Sequence, residues 1–456
     1  MGTLYYGDNL DVLRRYVKDE TIDLVYLDPP FNSARNYNAF LKEEDGTMAT
    51  SQIRAFEDTW RWGTESERTY EALVLQSDKL GQAMQALRVL LGTDNMMAYL
   101  VMMAPRLVEL RRILKPTGSL YLHCDSTASH YLKILLDAVF GQGNFRNEIL
   151  WYYYNKFGSK KSKLFANATD TILFYVKDVK SAFVFNPILE KREKPTKQLR
   201  RKWENGKAVN VKDKDGHVVY CLKEDRMVDN VWRIPCLQPA SPERLGYPTQ
   251  KPLALLERII LASSNPGDIV LDAFCGCGTA VDAAQKLGRG WIGIDITQLS
   301  IMLIKKRLRD NYGKIDISVV GEPVTVEDAT KLAADDKYQF QWWALGLVGA
   351  RPVEQKKGAD AGIDGRILFR VGKAKTSPLQ QIIISVKGGK VGVRDVRDLR
   401  GVLDREKAAI GVLITLEPPT GPMGVEAASA GFWEQCPRIQ LLTVAELLGG
   451  RSVRYT

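Results

Sequence analysis

Short apolar runs separated by amphipathic stretches recur through residue 310, a pattern suited to strands buried between covering helices. Leu4, Tyr5 and Tyr6 predict a strand ending at Gly7-Asp8-Asn9, followed by a helix carrying Leu10, Val12, Leu13 and Val17. Leu24 to Leu27, bounded by Asp23 and by Pro29-Pro30, predict a second strand with Asp28 at its end. Residues 32–65 are polar and broken by Gly46 and Gly63, which predicts a loop over a site. Helical spacing then covers 66–114 and stops at Pro116 and Gly118; a strand over 118–125 and an amphipathic helix over 126–140 follow. Further on, Leu253, Leu255, Leu256, Ile259 and Ile260 mark a helix. A strand over 268–272 breaks into a glycine-rich turn before a helix over 280–287, and residues 291–295 form one more strand ending in an acid.

Past 337 the pattern starts again: a helix over 338–349, strands over 365–371 and 380–387, a helix over 394–406, a strand over 409–416, then a strand and helix from Ile439. That is enough chain for a separate domain, so the 456 residues divide into two or three.

Composition narrows the setting. Nothing reads as a signal peptide and no apolar run is long enough to span a bilayer, so a soluble protein is expected. Six scattered cysteines form neither a disulfide framework nor a repeated metal pattern, which predicts a reducing cytoplasm. The net charge is +10, and residues 151–210 hold 14 Lys+Arg against 5 Asp+Glu, 14 − 5 = +9. Aromatics from Trp151 to Tyr154 lead into Lys156, Lys160, Lys161 and Lys163, and Arg200, Arg201 and Lys202 follow. Basic residues interleaved with aromatics suit phosphate contact and base stacking, and so permit a polyanionic partner.

Two stretches carry candidate chemistry. In Asp28-Pro29-Pro30-Phe31, a carboxylate and a prolyl-flanked carbonyl can accept hydrogen bonds from an exocyclic amine while the aromatic ring stacks on the heterocycle bearing it. In Asp272-Ala-Phe274-Cys-Gly276-Cys-Gly278-Thr279, the glycines allow close backbone approach to a ligand, and Asp295 at the next strand's end can grip a ribose. The turn lacks the third glycine of a dinucleotide fingerprint, which favours an adenosine cofactor over a dinucleotide. Cys275 and Cys277 read as small residues in a tight turn, and Cys236 as a packed thiol; no metal site is expected. His123 at a strand end reads as a hydrogen-bonded histidine and Asp8 as a helix cap or a ligand contact.

Together, DPPF, YPTQKP, LDAFCGCGT and WIGID resemble the S-adenosylmethionine-dependent DNA amino-methyltransferases, and their order resembles the β group with its circularly permuted sheet. The resemblance spans about residues 1 to 310. It implies that Asp28, Pro29, Pro30 and Phe31 receive a flipped base, adenine N6 ahead of cytosine N4, without a covalent intermediate. It also implies that Asp272, Phe274, Gly276, Gly278 and Thr279 line the cofactor pocket, that Asp295 holds the ribose, that Asp8 faces the adenine, and that Thr249 and Lys251 meet the methionine carboxylate. GADAGIDGRI followed by IIISVKGGK resembles the Mrr-like PD-(D/E)xK nucleases, with Asp364 and Lys387 in place but Ser385 where that family has Glu or Gln. Glu354 and Gln381 are the candidates to compensate, and Mg²⁺ enters only if that tail cleaves.

The expected architecture is therefore α/β: a circularly permuted Rossmann-like methyltransferase sheet with an inserted target-recognition region, plus a smaller α/β nuclease-like domain. The expected boundaries are 1–149 for the catalytic part, 150–245 for the basic insertion, 246–312 for the cofactor part, 313–336 for a linker and 337–456 for the tail. Recognition sequence and homodimer formation are not legible.

Overall fold

The computed structural model describes residues 2–30, 36–42, 48–57, 60–156, 163, 165–247, 249–353, 362–370 and 379–455. Nine strands form the main sheet: β1 (Gly2–Tyr6), β2 (Ile22–Leu27), β3 (Leu114–Cys124), β4 (Phe145–Tyr152), β5 (Thr169–Val176), β6 (Val231–Arg233), β7 (Ile269–Asp272), β8 (Gly290–Asp295) and β9 (Ile317–Val320). Their order is β6-β4-β5-β3-β2-β7-β8-β1-β9, and β5 alone runs against its neighbours. Tyr26 of β2 pairs with Asp272 of β7, and Asp295 of β8 with Tyr6 of β1, so the acidic strand ends stand along one edge of the sheet.

Alternation along β2 explains why it is central. Val25 and Leu27 face a core shared with α1 (Asn9–Tyr16), α3 (Lys79–Leu91), α4 (Asn95–Ile113) and α5 (Ser129–Phe140). Leu24 and Tyr26 face the opposite core, built with α6 (Leu253–Ser263), α7 (Thr279–Lys286) and α8 (Gln298–Tyr312). With both faces covered, the strand is apolar at every position from Leu24 to Leu27. No helix among the described residues is long and apolar enough to cross a membrane.

Several expected boundaries change. The helical stretch over 66–114 is three helices, α2 (Thr64–Leu75), α3 and α4. Ser77 at φ 52° breaks the first join, and Asp78 then caps α3 by accepting from the Gly81 amide at 2.8 Å; Gly92 at φ 65° and the Asp94 cap make the second. Within 32–65, strands Asn36–Lys42 and Met48–Glu57 pair as an antiparallel hairpin instead of a bare loop. The insertion expected from 150 gives up β5 and β6 to the main sheet. What projects from it is strand Leu189–Leu199 paired with Tyr220–Met227, and Arg201–Glu204 paired with Lys207–Asn210. Nor is 313–336 a linker, since β9 extends the main sheet beside β1 and α9 (Val326–Asp335) follows. The alternation of Ile315, Ile317 and Val319 marks that strand, although acidic neighbours disguise it.

The tail has its own sheet, β10 (Arg351–Pro352), β11 (Gly365–Arg370), β12 (Leu379–Lys387), β13 (Ile410–Thr415) and β14 (Ile439–Thr443), paired in that order. The helix α10 (Lys337–Leu347) contributes Phe340 and Trp343 to one core of this sheet, and α11 (Val393–Glu406) contributes Val396 and Leu399 to the other. A helix over Gly421–Ser429 was not expected from the sequence.

Candidate active site

The ends of β1, β2, β7 and β8 open on one cavity of about 320 Å³, within the size range of small-molecule sites. Its lining includes Asp8, Asp28, Pro29, Pro30, Thr249, Lys251, Asp272, Phe274, Gly276, Thr279 and Asp295, residues drawn from five separated stretches of chain. Gly278 stands just behind it, and Phe31 lies outside the described residues.

The glycine-rich turn is shaped by its own acids. Asp272 accepts from the Phe274 amide at 3.0 Å, and Asp295 accepts from the Gly276 amide at 2.8 Å and from the Thr297 amide and hydroxyl at 2.9 Å. Gly276 (φ 48°) and Gly278 (φ 76°) both take the left-handed conformation, and Gly278 begins α7. A Cβ at Gly278 would lie 2.6 Å from Ile304 Cγ1. Gly278→Ala is therefore expected to cost about 2 kcal/mol in urea unfolding, through strain and overlap together; an unchanged midpoint would refute this. Burial pushes the Asp272 carboxyl up to about 8, with Asp28 and Asp295 adding to it, and burial also raises Asp295.

Asp8 is a helix cap that also lines the cavity. Its Oδ1 caps α1 by accepting from the Leu10 amide at 2.8 Å, while Oδ2 pairs with Arg106 Nη2 at 2.6 Å on the cavity wall. Arg106 Nε also donates to Asn9 Oδ1 at 2.5 Å, and Asn9 Nδ2 donates to the Ala273 carbonyl at 2.8 Å, tying β1, α4 and the glycine turn together. Arg106 was missed in sequence, although a charge interrupting the apolar stretch from Met96 to Val108 of α4 was the available signal.

Around Asp28 the surroundings are more elaborate than sequence suggested. Lys251 Nζ pairs with Asp28 Oδ2 and donates to the Thr249 carbonyl at 3.3 Å. The resemblance assigns Lys251 to a cofactor carboxylate; in the structure its ammonium sits on Asp28 instead. His123, fully buried, has Nδ1 3.1 Å from the Tyr26 hydroxyl and 4.0 Å from Asp28 Oδ1, with Nε2 3.3 Å from Asp170 Oδ2. Burial raises Asp170 and His123 lowers it, and with Lys251 helping, the carboxyl ends below its ordinary value. Asp170 comes from the antiparallel β5, and no sequence motif pointed to it. Asp282 is a structural hub: it takes Arg307 Nε at 2.8 Å and Asn311 and Tyr312 side chains, pinning α7 to α8.

A DNA methylase family model matches residues 22–306, more than half of the chain. The chain belongs to the DNA methylase family. A restriction endonuclease model matches residues 340–449 of the same chain. The type II methyltransferase M.HpaI of Haemophilus parainfluenzae is 34% identical over 222 residues, 49% of this chain and 63% of its own length, so the match spans less than two thirds of that relative. The DNA adenine methyltransferase YhdJ of Escherichia coli is 27% identical over 316 residues, covering 67% of this chain and 82% of YhdJ. The crystal structure of the M1.HpyAVI–SAM complex is 21% identical, with a TM-score of 0.37 over 68% of this chain and 100% of that one.

Of the basic residues expected to meet DNA, none that is described lines the cavity. Lys163 is exposed between β4 and β5, Arg200 to Lys202 are exposed on the projecting strands, with Lys202 paired to Glu204 at 2.5 Å, and Lys160 and Lys161 lie outside the described residues. Cys236 is held by Asn155, whose Oδ1 accepts from its amide at 2.9 Å, and Cys275 and Cys277 are buried free thiols.

In the tail, Asp364 and Ser385 meet. Asp364 accepts from Ser385 Oγ at 3.2 Å, from the Val386 amide at 2.6 Å and from Gln341 Nε2 at 2.8 Å, while Lys387 ends β12. Gln381 cannot replace the missing ligand: it accepts from Arg366 at 2.5 Å and donates to the Glu406 carbonyl at 2.7 Å, four residues back along the strand. Glu354 lies outside the described residues.

Proposed function

We propose that this methylase transfers a methyl group from S-adenosylmethionine to the exocyclic N6 of an adenine flipped out of duplex DNA. The observation that carries the reading is that Asp28 and the glycine-turn acids Asp272 and Asp295 line one cavity. The donor set suits that cofactor. Asp295 and Asp8 offer acceptors to hydroxyl and amino groups, Lys251 offers a cation to a carboxylate, and Phe274 and Ile296 add apolar wall. Gly276 keeps the wall open, since a Cβ there would lie 3.1 Å from the Tyr247 ring.

When bound, S-adenosylmethionine supplies an electrophilic methyl carbon on a sulfonium. The chain's part is to make a poor nucleophile competent. An aryl amine has its lone pair conjugated into the ring, and acceptors at Asp28 and the Pro29 carbonyl favour pyramidal nitrogen with the lone pair directed away from them. Asp28 is then placed to take the amine proton once nitrogen has gained its methyl. Extruding the base costs a few kcal/mol, which the pocket and the basic projecting strands offset.

Incubating the full chain with duplex DNA and labelled S-adenosylmethionine tests this. N6-methyladenine in the hydrolysate is the expected product; N4-methylcytosine would transfer the reading to the other amine, and no labelled base would refute it.

The tail we read as a DNA-binding module. A hard cation at Asp364 would have to displace three donors and would find a hydroxyl where a second charged or amide ligand is needed. With Mg²⁺ present, no strand breaks are expected above those of Asp364→Ala; breaks that vanish in that variant would overturn this and make the chain a fused restriction–modification enzyme.

A further inference from the structure

The ion pair at the heart of the cavity bears on how the two substrates enter. We infer that Lys251 is a positioning residue that masks Asp28 until the methyl donor's carboxylate draws its ammonium away, so that donor binding precedes base capture. The inference rests on the methyltransferase reading above.

Both side chains are nearly enclosed, Lys251 at 9% and Asp28 at 15% exposure, so water does little to weaken their attraction. Lys251 reaches Asp28 Oδ2, one of the two carboxylate oxygens available to an incoming amine, while Oδ1 faces His123 Nδ1 at 4.0 Å. A neutral aryl N–H is a weak competitor, because a hydrogen bond between two charged partners is about twice as strong as one between neutral groups. A flipped base arriving first therefore meets an acceptor already engaged by a stronger donor.

A carboxylate arriving first changes the balance. Thr249, Lys251 and Asp28 all line the same cavity, so an anion bound beside Thr249 lies within reach of the lysine's four-carbon stem. Exchanging one carboxylate partner for another keeps the buried ammonium paired, which makes the switch inexpensive. Pro252 follows directly and caps α6, so the backbone at Lys251 is held and the side chain alone has to swing. Asp170, whose carboxyl is held below its ordinary value, also acts on this ammonium, so the cation keeps a second acid nearby.

The test uses the full chain and a duplex containing its target sequence, identified by sequencing DNA methylated in the assay above, with 2-aminopurine beside the target adenine, which keeps its N6 amine and whose departure from the stack brightens the probe. Enhanced emission from this neighbour of the flipped adenine is expected to require S-adenosylhomocysteine, which carries the carboxylate without the sulfonium. Apparent affinity for flipping should rise about tenfold on its addition, the effect of removing roughly one competing charged hydrogen bond. The decarboxylated analogue at saturation should leave emission low. In Lys251→Met, emission should appear without any donor analogue.

Wild-type emission that is the same with and without S-adenosylhomocysteine would overturn the inference, as would full emission with the decarboxylated analogue; neither result depends on the variant folding. Lysine acting only as structural ballast would lower the melting temperature of Lys251→Met and leave flipping donor-dependent. If the wild-type protein methylates no DNA, the methyltransferase reading itself falls. Methylation with donor-independent flipping refutes the masking role alone.

Discussion

Asp28→Ala is expected to lower methyl transfer by about 10³-fold while leaving duplex affinity within about twofold, because the residue acts on the amine and not on the phosphates. The variant loses the acceptor that polarises the nucleophile and receives its proton, and it leaves the Lys251 ammonium without its carboxylate partner. Asp28→Asn separates these effects. Its amide oxygen still accepts from the amine, although it cannot take the proton and its NH₂, itself a donor, cannot replace the carboxylate oxygen that Lys251 holds. A loss of about 10- to 100-fold is expected for the amide, between wild type and alanine. Single-turnover methylation and filter binding on the same duplex measure both quantities. Equal loss in the two variants would place the function of Asp28 in its charge, and collapse of duplex affinity in either would place it in DNA binding.

What sequence conveyed best was the part of the site that is local. The strand–acid and strand–glycine-turn units each lie within about ten residues, and their apolar runs and left-handed glycines leave marks that can be read one segment at a time. The element pattern of the tail was legible for the same reason. What could not be read were contacts made by the sheet order. Arg106 meets Asp8 across 98 positions, and Lys251 meets Asp28 across 223. Asp170 reaches His123 only because β5 enters antiparallel beside β3, a pairing that no local signal specifies.

Boundaries failed where charge disguised apolar alternation. The short edge strand β9 is flanked by Asp316 and Glu322 and reads as linker, yet an edge strand beside β1 needs little apolar surface. Similarly, the basic stretch from 151 onward was legible as a unit of charge, although β5 within it belongs to the central sheet. The tail shows the reverse limit. Ser385 was recognised as a departure from sequence alone, but that Gln341 donates to the same carboxylate depends on how α10 packs against the second sheet.

The second large effect is on stability against pH. Asp272 ionises near 3.9 in the unfolded chain and at about 8 in the folded one, where burial is the main cause and the neighbouring acids add to it. Between those values the folded state holds one more proton than the unfolded state. The stability this group contributes is therefore complete below about pH 4 and is lost progressively as pH rises toward 8. A separation of roughly four pKa units sets an upper bound of about 5 kcal/mol, and relaxation around a buried acid reduces it to a few. Asp272→Asn removes the titration while keeping an oxygen to accept from the Phe274 amide. In urea unfolding without cofactor, the variant is expected to gain about 2 to 4 kcal/mol relative to wild type between pH 5 and pH 8. Parallel stability curves would mean that Asp272 titrates normally. The same variant should bind S-adenosylhomocysteine more weakly, since an acid kept in an apolar wall at a cost to folding serves the ligand that enters there.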